Sequence, residues 1–209
     1  AGKRYLHRAR SEINGEITDV TYHAVFGKPI AISRNRVKIR YSYNDGGLIE
    51  RKIEPTRIST YDYKNKCGKV SRVSTDYYQF VEKKVKSKKK KIRKKVRTIA
   101  TDFMYKVPKC NLEAAKNSEG QKVTLKYDRN GRIAKITDQS KKIVLIEYDA
   151  RFGKPALVTR PGLGAIQVSY KNDGSIEKVD SKQGPTVAAQ VAAVFNNLLE
   201  IISPATSEL

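Results

Sequence analysis

Apolar and polar residues alternate through most of the chain. Val123, Leu125 and Tyr127 are interleaved with Thr124 and Lys126, the period-two pattern of a strand with one buried and one wetter face. After such a run comes a Tyr, then a short polar bend with Gly, then another extended run. The pattern predicts one β-hairpin in roughly every 20 residues. The final 27 residues differ: Val187, Val191, Val194, Phe195, Leu198, Leu199 and Ile202 advance in steps of 4, 3, 1, 3, 1 and 3, which is one stripe of an amphipathic helix. Thr186 is placed to cap it and Ser203-Pro204 to end it. The expected fold is therefore mainly β: antiparallel hairpins in an open curved sheet, with a C-terminal helix.

The hairpins form a repeat. Tyr22 with Gly27, Tyr43 with Gly46 and Tyr63 with Gly68 make one set, and Tyr127 with Gly131, Tyr148 with Gly153 and Tyr170 with Gly174 make another. The tyrosines are spaced by 21 and 20 residues in the first set and by 21 and 22 in the second. In each unit Tyr closes a strand with its ring covering neighbours and its hydroxyl wet. Asp or Asn starts the turn and Gly supplies a positive φ. The alternative is an ordinary meander whose turns share Gly and Asp.

Tyr127-Asp128-Arg129-Asn130-Gly131-Arg132-Ile133 resembles the YD repeat of the RHS and teneurin family: Tyr-Asp, two variable residues, then Gly-Arg-Leu or Gly-Arg-Ile. Tyr148-Asp149 with Gly153-Lys154 is a close variant with one inserted turn residue, and the other four copies lack the Asp. The resemblance covers about 120 of the 209 residues. It implies a spiralling hairpin sheet in a secreted, periplasmic or cell-surface protein concerned with adhesion, carbohydrate binding or toxin encapsulation. Six or seven units are too few for that family's closed shell, so an open strip or small curled sheet is expected. No counterpart of the family's self-cleavage motif is present.

Between the two sets, eleven of the fifteen residues from Lys83 to Arg97 are basic and none is acidic: Lys83, Lys84, Lys86, Lys88, Lys89, Lys90, Lys91, Arg93, Lys94, Lys95 and Arg97. The flanks are rich in β formers. Folding them about a tip at Ser87 to Lys90, with paired numbers summing to 177, sets Val85 against Ile92, Val81 against Val96, Tyr77 against Ala100 and Val73 against Met104. Continued outward, this register sets Cys67 against Cys110. A disulfide there suits an extracytoplasmic protein; two unpaired buried thiols are the alternative. The expected organisation is a basic segment at 1–16, repeats at 17–75, a long basic hairpin at 76–110, repeats at 111–182 and the helix at 183–209.

The net charge of +22 requires an anionic counterpart or a well-solvated face. Either the basic hairpin is a solvated edge that blocks strand pairing, or it contacts an acidic protein, an anionic glycan or an envelope surface. Nucleic acid is a further reading, limited to non-specific binding because lysines supply point charges without base readout. The helix either packs on the chain's own sheet or docks on another subunit. His7 and His23 stand apart, and no metal, nucleotide or nucleophile motif is present, so a non-catalytic role without cofactor is expected. No apolar run approaches the roughly 18 residues of a membrane span. A chain opening at Ala1 fits a processed secretory product or a trimmed one, and it can be a piece of a longer repeat protein.

Overall fold

The structure, a computed structural model, describes residues 7–206 except 14, 36, 86 and 87, and their side chains except those of 84, 85, 88, 205 and 206. Fifteen antiparallel strands form one open sheet in simple sequence order. They are β1 (Arg8–Ile13), β2 (Glu16–Tyr22), β3 (Pro29–Arg34), β4 (Val37–Tyr43), β5 (Ile49–Ile53), β6 (Arg57–Asp62), β7 (Arg72–Val85) and β8 (Lys88–Lys106). Then follow β9 (Asn111–Asn117), β10 (Lys122–Tyr127), β11 (Ile133–Asp138), β12 (Ile143–Tyr148), β13 (Pro155–Arg160), β14 (Gly164–Tyr170), β15 (Ile176–Asp180) and the helix α1 (Pro185–Thr206). Within the stretch expected as an N-terminal basic segment, Arg8–Ile13 forms β1, which pairs along its length with β2.

Two compact units divide the chain: residues 1–63 with 72–100, and residues 64–71 with 101–209. The second has the denser core. Its register sets Leu125 beside Ile136 and Ile136 beside Val144, and sets Ile146 beside Val158 and Val158 beside Ile166. All six are buried, and α1 lies on this sheet against β9, β10, β13 and β14. Each side chain so enclosed contributes roughly 1.5–3 kcal/mol.

From the stripe on α1, Val191, Leu198 and Ile202 are buried, while Val187, Val194, Phe195 and Leu199 are partly covered. Ile201, which the stripe omitted, is buried as well. The helix begins two residues earlier than expected: the Gly184 carbonyl accepts the Ala188 N–H at 3.2 Å, so Gly184, not Thr186, takes the cap position. Pro185 opens the first turn, where its missing N–H costs nothing. Nor does Ser203-Pro204 stop the helix. Pro204 cannot donate to the Glu200 carbonyl four residues back, and the Ser203 hydroxyl donates to that oxygen instead, at 3.2 Å.

The expected exclusion of a membrane span also changes. Pro185–Pro204 is long and apolar enough to cross a bilayer by length and composition, although Gln190, Asn196, Asn197 and Glu200 break any continuous apolar run. In the structure one face of this helix is spent on the sheet.

The long hairpin is β7 paired with β8, in a different register from the one expected. Phe103 N–H donates to the Ser71 carbonyl at 2.9 Å, Thr98 bonds Asp76 at 2.6 Å and Arg97 sits over Tyr77. These pairs sum to 174, not 177. Phe103 rather than Met104 is therefore buried, and Val96 is exposed. The apolar matching chosen from sequence lost to polar and cation–π pairs across the strands. The expected tip at Ser87 to Lys90 lies in part outside the described residues, as do Lys86, the side chains of Val85, Lys84 and Lys88, and the first six residues of the chain.

Cys67 and Cys110 form a disulfide, with Cα atoms 5.6 Å apart and 43 residues of separation. It joins the turn before β7 to the turn after β8. A loop of this length gives about 4 kcal/mol in the chain-entropy account.

The seating of α1 depends on Gly164. A Cβ there would stand 2.3 Å from Val187 Cγ1, and its φ is +154°. Gly164→Ala is expected to lower stability by about 1–3 kcal/mol, and Val187→Ala in the same chain to restore part of the loss. Urea unfolding of the two single variants and the double variant measures this, and strictly additive losses would disprove the contact.

Candidate binding surfaces: the tyrosine turns and the basic hairpin

Every strand that ends on a motif tyrosine carries a bulge just before it. The register shifts at Thr21/Tyr22, Ser42/Tyr43, Lys126/Tyr127, Glu147/Tyr148 and Ser169/Tyr170. The bulge turns the ring along the sheet. There the hydroxyl is not wet, as expected from sequence, but bonded. Tyr43 donates to the Pro29 carbonyl at 2.6 Å and Tyr63 to Ile49 at 2.7 Å. Tyr127 donates to Leu112 at 2.8 Å, Tyr148 to Ile133 at 2.8 Å and Tyr170 to Pro155 at 2.7 Å.

The acceptor always follows one rule. Pro29, Ile49, Ile133 and Pro155 are the residues paired with Tyr22, Tyr43, Tyr127 and Tyr148. Each hydroxyl thus locks its own hairpin to a strand residue just beyond the preceding turn.

That rule exposes one more unit, not recognisable by its motif. Leu112, which accepts from Tyr127, is paired with Tyr105, and the register shifts at Met104/Tyr105. Tyr105 precedes Tyr127 by 22 residues, in step with the later set. Its turn has neither Asp nor Gly, which hid it, and the positive φ falls on Cys110 at 52°. The disulfide therefore ties together the turns of two tyrosine units, those of Tyr63 and Tyr105.

The remaining motif residues hold each turn and reach to the next. Asp128 Oδ1 accepts the Asn130 and Arg132 N–H groups, both at 2.9 Å, and Oδ2 accepts Arg132 Nε at 2.8 Å. These bonds, led by the Arg132 backbone N–H, hold the Asp128 carboxyl below its ordinary value. Arg132 also lies 4.4 Å over the ring of Tyr148.

Lys28 and Lys154 take the same position after their turn glycines. Lys28 donates to the Gly47 carbonyl at 2.8 Å and Lys154 to Gly174 at 2.7 Å. Both face the next tyrosine, Tyr43 and Tyr170. The turn glycine of the Tyr43 unit is Gly47, not Gly46: Gly47 has φ +74°, and a Cβ on it would meet the Phe26 ring at 3.0 Å.

The same set of contacts occurs twice, 126 residues apart for Tyr22 and Tyr148, Phe26 and Phe152, Lys28 and Lys154, and Pro29 and Pro155. It makes the Tyr22 and Tyr148 units an internal duplication within the repeat. In the first copy His23 replaces Asp149. Its Nδ1 accepts the Val25 and Phe26 N–H groups at 3.2 and 3.3 Å, as Asp149 Oδ1 accepts those of Arg151 and Phe152 at 2.9 and 2.8 Å. His23 is thus a turn residue. The copies differ in cover: Ile146, Val158 and Ile166 are buried, whereas Val20, Ile32 and Ile39 are only half-buried.

The basic hairpin divides its cations. Arg93 lies 4.0 Å over Tyr78 and Arg97 4.7 Å over Tyr77, and Arg93 also donates to the Glu54 carbonyl at 2.8 Å. Lys95 pairs with Asp76 at 2.6 Å and Lys89 with Glu82 at 3.6 Å. The Lys95 hydrogen bond is the main cause holding the Asp76 carboxyl below its usual range. Lys83, Lys90, Lys91 and Lys94 are exposed. Sequence proximity missed the tyrosines under the arginines because they lie on the opposite strand.

No protein-family model matches the sequence, and a search of curated proteins finds no relative. Among solved structures, the chain is similar to one in the Photorhabdus luminescens Tc holotoxin pore, with 12% identity over 84% of this chain and a TM-score of 0.45. It is also similar to a chain in the crystal structure of TcdB2-TccC3 without the hypervariable C-terminal region, with 11% identity over 80% of this chain and a TM-score of 0.41. The matched region spans 12% and 10% of the length of those two chains.

Burial raises the pKa of Tyr43, Tyr127, Tyr148 and Tyr170 above the ordinary phenol value. The folded state therefore holds these protons more tightly than the unfolded chain. Their contribution is complete below pH about 10 and falls as pH rises through the raised folded values. Tyr148→Phe is expected to cost about 1 kcal/mol at neutral pH and to flatten the loss of stability above pH about 10; an unchanged alkaline profile in urea unfolding would contradict the clamp. His23→Asp should preserve the melting temperature, whereas His23→Ala should cost about 1 kcal/mol. Equal losses in both variants would show that Nδ1 is not the group that matters.

Proposed function

We propose that the chain is a non-catalytic hairpin-repeat scaffold of YD-repeat kinship, secreted or envelope-associated, that acts by binding an anionic partner through the exposed lysines of the β7–β8 hairpin. The kinship is supported by what the motif residues do. Tyr bonds the preceding unit, Asp holds its own turn, and Arg132 or Lys154 covers the next tyrosine. Residues so engaged serve cohesion, and the scaffold reading follows from that.

One observation carries the binding role. Lys83, Lys90, Lys91 and Lys94 stand exposed on a long hairpin in a chain of net charge +22. Such a prong attracts an acidic surface over about a Debye length. The geometry favours a general anion over a nucleic-acid sequence, since Arg93 and Arg97 are held on Tyr78 and Tyr77. Base readout needs those forked donors and stacking rings free.

The test compares the full chain with a variant carrying Lys90→Ser, Lys91→Ser and Lys94→Ser. Binding to labelled polyglutamate, heparin oligosaccharide and a single-stranded oligonucleotide is titrated at about 50 and about 200 mM salt. The variant is expected to lose about tenfold in affinity for polyglutamate and to show a shallower salt slope. Identical titrations would reduce these lysines to a solvated edge, and a preference for the oligonucleotide would favour nucleic acid instead.

A further inference from the structure

A groove of about 840 Å³ lies in the second unit beside the Tyr105 turn, a volume typical of small-ligand sites. None of the residues singled out from sequence for partner binding lines it. The register explains how it forms. Met104 and Thr124 are both paired with Ala114, so the three make one row across β8, β9 and β10. The small Ala114 side chain in the middle leaves a depression. Val107 and Pro108 from the turn wall one end, and Met104 and Val107 remain 44% and 56% exposed.

Four lysines ring this apolar floor: Lys106, Lys109, Lys122 and Lys126. All are exposed, and among the described residues none makes an ion pair. Glu113 is the one carboxylate in the lining. Lys122 and Lys126 flank Thr124 at two residues on either side, on the same face of β10. That places them about 14 Å apart, with the floor midway.

We propose that this groove binds an extended acidic peptide segment, with carboxylates four residues apart over Lys122 and Lys126 and an apolar side chain midway in the depression at Ala114. An extended peptide has the same two-residue spacing as β10, so charge and apolar positions match together. A polyanion without apolar groups would leave the floor exposed to water. A nucleic acid would find no free stacking ring, since Tyr127 is half-buried with its hydroxyl on Leu112. Lys83, Lys90, Lys91 and Lys94 do not line the groove, and the proposal does not depend on the function assigned to them.

Met104 is the single methionine of the sequence, so a chain labelled with ¹³C-methyl methionine reports the groove through one resonance. The probe is a fluorescein-labelled peptide in which a leucine stands two positions from a glutamate on each side. Control peptides replace both glutamates by glutamine, or the leucine by serine.

Saturable binding that shifts the Met104 signal is expected, with both controls weaker. Lys122→Glu combined with Lys126→Glu should lower affinity by about tenfold, with an unchanged melting temperature showing that the fold is kept. The Lys90, Lys91 and Lys94 serine variant should bind within about twofold of the parent. An unmoved methionine signal at saturation, equal affinity for either control, or full binding by the doubly reversed variant would overturn the proposal. Loss confined to the hairpin variant would also overturn it while supporting the hairpin as the anion site.

Discussion

The hydrogen bond from a motif tyrosine to a carbonyl of the preceding hairpin, seen at Tyr43, Tyr63, Tyr127, Tyr148 and Tyr170, holds the array together along its turn edge. A strand ladder alone specifies pairing between neighbours but tolerates slippage where both faces are partly wet. The hydroxyl removes that freedom. At four of the five bonded tyrosines, Tyr43, Tyr127, Tyr148 and Tyr170, a bulge stands immediately before the ring, and a shift of one residue would turn the ring to the other face. Five such bonds recur with one geometric rule, so register is set at every unit where one is seen. The Asp and the Gly shape the turn; the basic residue after the Gly extends the lock to the next ring.

The two copies of the duplicated block put this lock to different uses. In the second unit the ladder positions a row of branched aliphatic side chains that α1 closes over, with Gly164 allowing Val187 to come close. In the first, Val20, Ile32 and Ile39 keep the same places on their strands, yet among the described residues no helix lies on them and they stay half-buried. The turn chemistry matches at His23 and Asp149 although one is an imidazole and the other a carboxylate, because the turn needs an acceptor at that point rather than a charge. The disulfide is another substitution of means, as Cys110 takes the left-handed position that glycine fills elsewhere.

The hairpin period, the strand order and the helical stripe were all legible in the residues, because each depends on local spacing. What was not legible depends on partners distant in sequence. Tyr105 lacked every companion that marks its siblings, and only its pairing with Leu112 reveals it. Gly46 and Gly47 are indistinguishable until Phe26 closes over one of them. Apolar matching aligns the basic hairpin in one register, whereas Arg97 on Tyr77 and Lys95 on Asp76 accompany another. With residues such as Val96 left exposed there, apolar contacts bury too little area to dominate such pairs. The groove at Ala114 was invisible for the same reason, since three residues from three strands make its floor.

The sequence by itself determined a mainly β chain of tyrosine-ended hairpins, a cationic excess concentrated between two repeat blocks, and one amphipathic helix at the end. These follow from periodicity, turn chemistry and charge, which act over a few residues. Tertiary structure decided where the phenol protons go, which glycine must remain bare, which cations are already spent on rings and carboxylates, and which remain exposed. Most of those outcomes rest on hydrogen bonds and close contacts between segments 14 or more residues apart, whose geometry only the assembled sheet supplies.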